Sequence, residues 1–373
     1  MPQYYLDRYF VPEDKDLFDM LTACGTSQEK LWGYARNYGI LFAPTESRTR
    51  LIDAISRMPV DRSKLQEIFL LNSSKDRDEK FSTKRLAVDV SIERITAAVA
   101  GVQEKRAAAE REDYKFENPT NDTINVRIGY KEPDLSKAEA IQIREKELLV
   151  QLIRKDGKLT IRHHSNEKAT SVVADIVSKL EDLIQVKPKL GSLDFTGIKD
   201  PKLRTRFFTD LSRKLQGFEL QDVPALKIYR LNNDKKNEEE EADELTVVAQ
   251  VKRMFISGVD LMKSDEYLDL EKRGFFISAI TWTSEHQSDT REHFEFSAEF
   301  TNPEMPLDIK YGCTGKFQRN EQGELKKNKS NLSAIERDTL LSTLDTAAFS
   351  LYDSITAEIN PPQVNGNTDK VAT

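Results

Sequence analysis

Residues 147–164, ELLVQLIRKDGKLTIRHH, constrain this chain more than any other stretch, because they read as strand, turn and strand with the register fixed. The pair Asp156-Gly157 suits a two-residue type I′ turn, which needs positive φ at both central positions. Counting outward from the turn pairs Leu152 with Ile161 and Arg154 with Leu159. Val150, Leu152, Leu159 and Ile161 then share one face, so one side of the hairpin is expected to be buried.

On either side of this hairpin the hydrophobic period changes. Before residue 104 the apolar spacing is helical, as in SKLQEIFLLN and in KRLAVDVSIERITAAVAGVQEKR with Leu86, Val90 and Ile95. Strand signals begin at INVRIGY, after the turn-rich residues around Pro119. SNEKATSVVADIVSKLEDLIQ offers Ser165 as an N-cap and an apolar stripe of Val172, Val173, Ile176, Leu180 and Leu183. DPKLRTRFFTDLSRKLQG has Asp200 as cap, Pro201 at the first helical position and Gly217 beyond the end. Beyond the charge run NNDKKNEEEEADE, four strands are expected in LTVVAQVKRMFI, GFFISAITWT, EHFEFSAEF and LDIKYGC. A short helix, KSDEYLDLEKR, falls between the first two, and a long one follows the last with a Ser333–Glu336 capping box.

The expected class is therefore α+β, with a small N-terminal all-helical unit followed by two mixed sheet-plus-helix domains. In residue terms these are a helical module at 1–72, a helical connector at 73–118, an α+β domain at 119–231, an acidic linker at 232–244, an antiparallel sheet with a C-terminal helix at 245–358, and a polar tail at 359–373. The 373 residues carry a net charge of -7, which argues against a uniformly basic surface but leaves room for a local stripe of Lys and Arg. Cys24 and Cys313 lie far apart, so neither a disulfide framework nor a cysteine zinc site is expected. With no signal-peptide pattern and no long apolar run, a cytoplasmic setting without a membrane partner is expected, and no motif calls for a cofactor.

Residues 26–58, TSQEKLWGYARNYGILFAPTESRTRLIDAISRM, read as two short helices. Thr26 and Glu29 fit a capping box, Gly39 fits a left-handed helix end, and Leu51, Ile52, Ile55 and Met58 face inward on the second helix. Arg50 and Arg57 are a heptad apart and share a face with Ala54. This layout resembles the SAP module, a helix-extended-helix unit associated with DNA binding. The resemblance rests on Tyr38-Gly39-Ile40 and on the basic opening before Leu51-Ile52. It departs in a longer connection at Phe42, Ala43 and Pro44 and in the acids Glu46 and Asp53. The resemblance implies phosphate contacts from Lys30, Arg36, Arg48 and Arg50, with Arg57 on the same face. A second basic surface is expected on the helix after Pro201, where Lys202, Arg206, Arg213 and Lys214 face out opposite Leu203, Phe207, Leu211 and Leu215.

Two weaker patterns point to chemistry. His286 and His293 would converge with nearby carboxylates on a metal only if their strands form a suitable hairpin. Asp308-Ile309-Lys310, with Glu299 on the strand before, resembles over a tripeptide the Mg-dependent nucleases of the PD-(D/E)xK type, but half-burial of the strands explains these residues and they are expected to be structural. No Walker loop, GxSxG elbow or HExxH is present. The expected function is a non-enzymatic, DNA-binding accessory or sensor subunit of a multi-protein assembly, with defence against foreign DNA as one setting. Its double-stranded DNA contact would be weak and largely sequence-independent, and a protein partner is expected. The alternatives are a protein-interaction scaffold subunit with no nucleic-acid role and, more remotely, a Mg-dependent nuclease.

Overall fold

The computed structural model describes residues 12–23, 26–59, 61–72, 79–134, 143–231, 253–258, 261–320, 322–326 and 328–360. The acidic stretch 232–244 and the tail from residue 361 lie outside the described residues, as does Cys24. The fold is α+β. In chain order it begins with α1 (Asp14–Ala23), α2 (Gln28–Asn37), α3 (Arg48–Ser56), α4 (Arg62–Asn72), β1 (Phe81–Leu86) and α5 (Ile92–Glu110). There follow β2 (Asp113–Thr120), β3 (Thr123–Pro133), β4 (Ile143–Lys155), β5 (Lys158–His164), α6 (Glu167–Ile184), β6 (Leu190–Gly191) and α7 (Pro201–Arg213). The last elements are β7 (Phe218–Arg230), β8 (Arg253–Ser257), α8 (Asp265–Lys272), β9 (Phe275–His286), β10 (Asp289–Phe300), β11 (Ile309–Gln318) and α9 (Ala334–Ile359). No described helix is long and apolar enough to cross a membrane.

These elements form two compact units that interleave in sequence. Met1–Arg77, Thr96–Pro119 and Ile124–Leu149 make the first; Asp78–Ile95, Thr120–Thr123 and Val150–Thr373 make the second. In the first unit, α1 to α4 enclose a core of Leu17, Met20, Leu21, Leu31, Tyr34, Ala35, Leu51, Ile52, Ile55 and Ile68. On α5, Ala98, Val99 and Val102 are buried, continuing the helical spacing from Ile95. The same unit holds a buried clamp in which Arg106 meets Glu112 at 3.1 Å and the Tyr114 hydroxyl donates to Glu112 at 2.6 Å. Residues 113–120 form a strand where the helical connector was expected to run to 118, and the expected turn falls just after it, at 121–122. β2 ends the strand order, and an edge strand is where a proline such as Pro119 is tolerated.

The second unit is built on an antiparallel sheet. From the hairpin outward its strands run β5, β1, β11, β10, β9, β7 and β8. The hairpin has the expected register, Leu152 opposite Ile161 and Arg154 opposite Leu159, with φ of 52° at Asp156 and 68° at Gly157. Val150, Leu152, Leu159 and Ile161 are fully buried, and α6 packs on β5. Asn166, not Ser165, caps α6; the Ser165 hydroxyl instead bonds Ser82 at 3.0 Å. Ile309 and Tyr311 are buried as expected of their strand, whereas Leu307 precedes it and is exposed.

The largest departure is β1, expected to be helical and found in the middle of the sheet, between β5 and β11. Its alternation was masked because Thr83 and Arg85 occupy inward positions that an apolar pattern would fill. Both belong to a buried polar network under α9. Asp345 of α9 receives Arg162 Nε at 3.0 Å and Nη2 at 2.5 Å, Thr83 Oγ1 at 2.7 Å, and the Tyr311 hydroxyl. Arg162 also donates to Gln151 Oε1 at 2.9 Å, and Gln151 donates to Asp338 of α9 at 3.1 Å. Arg85 stacks on Phe349 with its guanidinium 3.9 Å from the ring centre. Arg162 and Asp345 are only 2% and 4% exposed. A charge pair so far from water is tolerated because all three guanidinium nitrogens and both carboxylate oxygens are hydrogen-bonded.

Asp345→Ala leaves the Arg162 guanidinium buried without its counter-charge, and a loss of about 3–5 kcal/mol in denaturant unfolding is expected. A second expectation concerns His163, which is 1% exposed. Its Nδ1 donates to the His164 carbonyl at 2.8 Å, its Nε2 has no partner, and burial pushes its pKa down to about 4 from 6.5. The unfolded chain takes up this proton below about 6.5 while the folded protein refuses it, so stability falls as pH drops towards 4. The loss is on the order of 3 kcal/mol, and His163→Leu should flatten that part of the stability–pH curve.

Candidate nucleic-acid interface

The helix pair of the first unit is assembled by local chemistry. Ser27, not Thr26, caps α2 by accepting from the Lys30 amide at 3.4 Å, and Thr26 is buried. At the other end Gly39 takes φ +75°, and the amides of Gly39 and Ile40 return to Arg36 and Ala35 at 3.0 Å each. Glycine is needed at that left-handed position. The connection to α3 is held at three points. Trp32 Nε1 donates to the Phe42 carbonyl at 3.2 Å, Gln28 Nε2 to the Glu46 carbonyl at 2.6 Å, and the Glu46 amide to Ala43 at 3.0 Å. Ser47 then caps α3 through the Arg50 amide at 3.3 Å.

The five basic side chains of this pair divide by what they already touch. Arg48 is a structural residue: its guanidinium donates to the carbonyls of Thr26 and Leu21 at 2.8 Å and of Thr22 at 3.3 Å. It thereby binds the Leu21 and Thr22 carbonyls in the last turn of α1, where a cation also complements the helix dipole, and the Thr26 carbonyl just ahead of the α2 cap. Arg57 pairs with Asp53 at 2.7 Å, so the acid on this face answers the cation that was expected to be free. Lys30 Nζ reaches the Leu71 carbonyl at 3.5 Å. The side chains of Arg36 and Arg50 are exposed and have no hydrogen-bond or ion-pair partner among the described residues.

The basic face of α7 in the second unit is similarly depleted. Arg206 forms a two-pronged pair with Glu358, at 3.2 Å for Nη1 and 2.5 Å for Nη2, and Lys214 pairs with Asp210 at 3.0 Å. Lys202 and Arg213 are left exposed. Phe207, Leu211 and Leu215 are buried and Leu203 half-buried. Arg204, unremarked in the sequence, is buried on the same helix. It donates to the carbonyls of Ile198 at 2.6 Å, Pro303 at 3.2 Å and Phe195 at 3.4 Å, and lies 4.9 Å from the Phe276 ring centre.

The nuclease and metal patterns do not assemble. Glu299 is engaged by Lys80 at 2.9 Å, Lys310 at 3.1 Å and Lys227 at 3.1 Å. Burial alone would raise the Glu299 carboxyl, but Lys80 and then Lys310 outweigh it and hold the pKa down at about 2. Asp308 lies apart from this cluster; its Oδ1 accepts the Ile309 amide at 2.8 Å, and burial pushes it up to about 6. His293 stands opposite Glu285 in the β9–β10 register and meets its carboxylate at 3.0 Å. His286 follows Glu285 directly, so it points to the other face of the strand and contacts Ser288 and the Phe218 ring. The two histidines therefore cannot share an ion, and no group of three or more His, Cys, Asp or Glu among the described residues is placed to hold a metal.

No family model matches the chain, and no curated protein sequence does. Among solved structures, the chain is similar to the di-domain ARO/CYC StfQ from the steffimycin biosynthetic pathway, at 9% identity and TM-score 0.17, covering 75% of this chain and 98% of that one. At that TM-score the likeness assigns neither fold nor function.

Because Arg48 ties α1 to α3, Arg48→Ala is expected to cost about 1–2 kcal/mol of stability in denaturant unfolding, from charge-assisted hydrogen bonds lost to three carbonyls. A neutral outcome would show that those bonds do not hold the helices together.

Proposed function

We propose that the N-terminal helices contact double-stranded DNA weakly and without strong sequence preference, and that the chain serves as a non-catalytic accessory or sensor subunit of a larger assembly. The observation that carries this reading is the pair of uncommitted arginines, Arg36 and Arg50, on a helix-extended-helix unit whose other cations are engaged. Arg50 sits in the first turn of α3, which holds no acid, and a helix N-terminus without acids favours a phosphate. Few contacts and a net charge of -7 keep the affinity low and its salt dependence shallow. A cytoplasmic place of action and a role against foreign DNA belong to this proposal.

A second reading, docking of a protein partner, is favoured by Leu41, which is 79% exposed in the connection between α2 and α3. Salt separates the two, because apolar docking responds little to it while phosphate contacts make log affinity fall linearly with log salt. The double variant Arg36→Ala/Arg50→Ala is expected to remain folded and to lose DNA affinity at low salt, with its salt slope reduced by about two units at most. Fluorescence anisotropy with a labelled duplex measures both quantities. If the double variant binds as the parent does, these helices are not the contact surface, and Leu41→Asp becomes the variant to examine against protein partners.

A further inference from the structure

Four neighbouring strands of the second unit set Lys227, Ala279, Glu299 and Lys310 in one cross-strand row: Lys227 faces Ala279, Ala279 faces Glu299, and Glu299 faces Lys310. Ala279 is what lets the row close. Adjacent strands lie about 4.8 Å apart, so Lys227 must cross about 10 Å to reach Glu299, and a lone methyl group leaves the path open. Lys227 Nζ arrives 3.1 Å from Glu299 Oε2, while Lys80 and Lys310 take Oε1 at 2.9 and 3.1 Å. Three ammonium groups thus meet one carboxylate, a local excess of three minus one, or +2.

The next row on the same face is Ala225, Thr281, Ser297 and Gly312. Side chains two apart on a strand share a face about 7 Å apart, which sets Ser297 beside Glu299. Ser297 is 3% exposed, and its Oγ has no hydrogen-bond partner. Buried hydroxyls in native proteins are nearly always paired, so an unpaired one beside surplus cations is a donor suited to a polar ligand. Tyr311 points to α9 through Asp345, so Lys310, its neighbour, points to the opposite face.

A structural ion pair accounts for one lysine on Glu299 and not for three. Burial lowers the Lys80 ammonium below its ordinary value; Glu299 opposes that shift, and the charges of Lys310 and Lys227 add to it. The cations crowd about a single point instead of forming a stripe, which suits one compact, multiply charged anion better than the spaced phosphates of a duplex. We propose that this face binds a small polyphosphate, such as the diphosphate group of a nucleotide. Lys80, Lys227 and Lys310 make the charged contacts, Ser297 supplies a hydroxyl, and Glu299 is the resident carboxylate that the ligand displaces. None of these residues belongs to the N-terminal helices, so the DNA proposal stands or falls separately.

Equilibrium dialysis of the full chain against labelled pyrophosphate at low salt tests the site. Saturable binding is expected, about tenfold weaker in Lys227→Ala and in Lys310→Ala, each of which removes a charge-assisted contact. Glu299→Gln is expected to bind more tightly, because the competing carboxylate loses its charge. Lys158→Ala, at the exposed tip of the β4–β5 hairpin, is expected to match the parent. Thermal melts confirm that each variant is folded; Lys227 has a side chain 57% exposed and is expected to tolerate replacement. The proposal is overturned if the parent shows no saturable binding, if both folded lysine variants bind as the parent does, or if Glu299→Gln binds no more tightly. It is overturned equally if duplex DNA, and not pyrophosphate, is what occupies the face.

Discussion

The second unit depends on one buried interaction, the contact of Asp345 with Arg162. Neither charge is favourable in that setting by itself, because removing each from water costs several kcal/mol. What makes the pair tolerable is the completeness of its surroundings. Thr83, Tyr311 and Gln151 come from β1, β11 and β4, and Asp338 and Asp345 from α9, so one polar cluster fixes a helix against four strands. A wholly apolar interface would permit α9 to slide by a turn. Hydrogen bonds with defined donors and acceptors make such a shift costly, since each displaced group would be left buried and unpaired.

The same accounting of charges separates structure from opportunity in the N-terminal helices. Arg48 and Arg50 are two residues apart and look equivalent in sequence, yet Arg48 spends its guanidinium on the end of α1 while Arg50 reaches solvent. Arg206 and Lys214 on α7 are likewise answered by Glu358 and Asp210. Basic residues at helical spacing thus overstate the cation available to a ligand. In the Glu299 cluster the imbalance runs the other way, with more cation than the protein's own carboxylate can answer.

Local chemistry was legible from the sequence wherever a motif closes on itself. The Asp156-Gly157 turn determined the register of β4 against β5, the Ser333–Glu336 box determined where α9 begins, and Gly39 determined where α2 ends. The α+β class followed from the change in hydrophobic period. Each of these is decided by backbone conformation and neighbours a few residues away.

Tertiary structure alone decided the rest, because its determinants are hundreds of residues apart. β1 was invisible as a strand since its inward Thr83 and Arg85 are made acceptable only by α9, far along the chain. Both faces of β5 carry buried residues, Leu159, Ile161 and His163 on one and Arg162, held by Asp345, on the other, a burial that alternation alone does not reveal. Glu299 could be read as a metal ligand until the sheet brought Lys80 and Lys227 to it, from 219 and 72 residues away in sequence. A side chain's charge is written in the sequence; whether that charge is spent, buried or free is settled by which strands become neighbours.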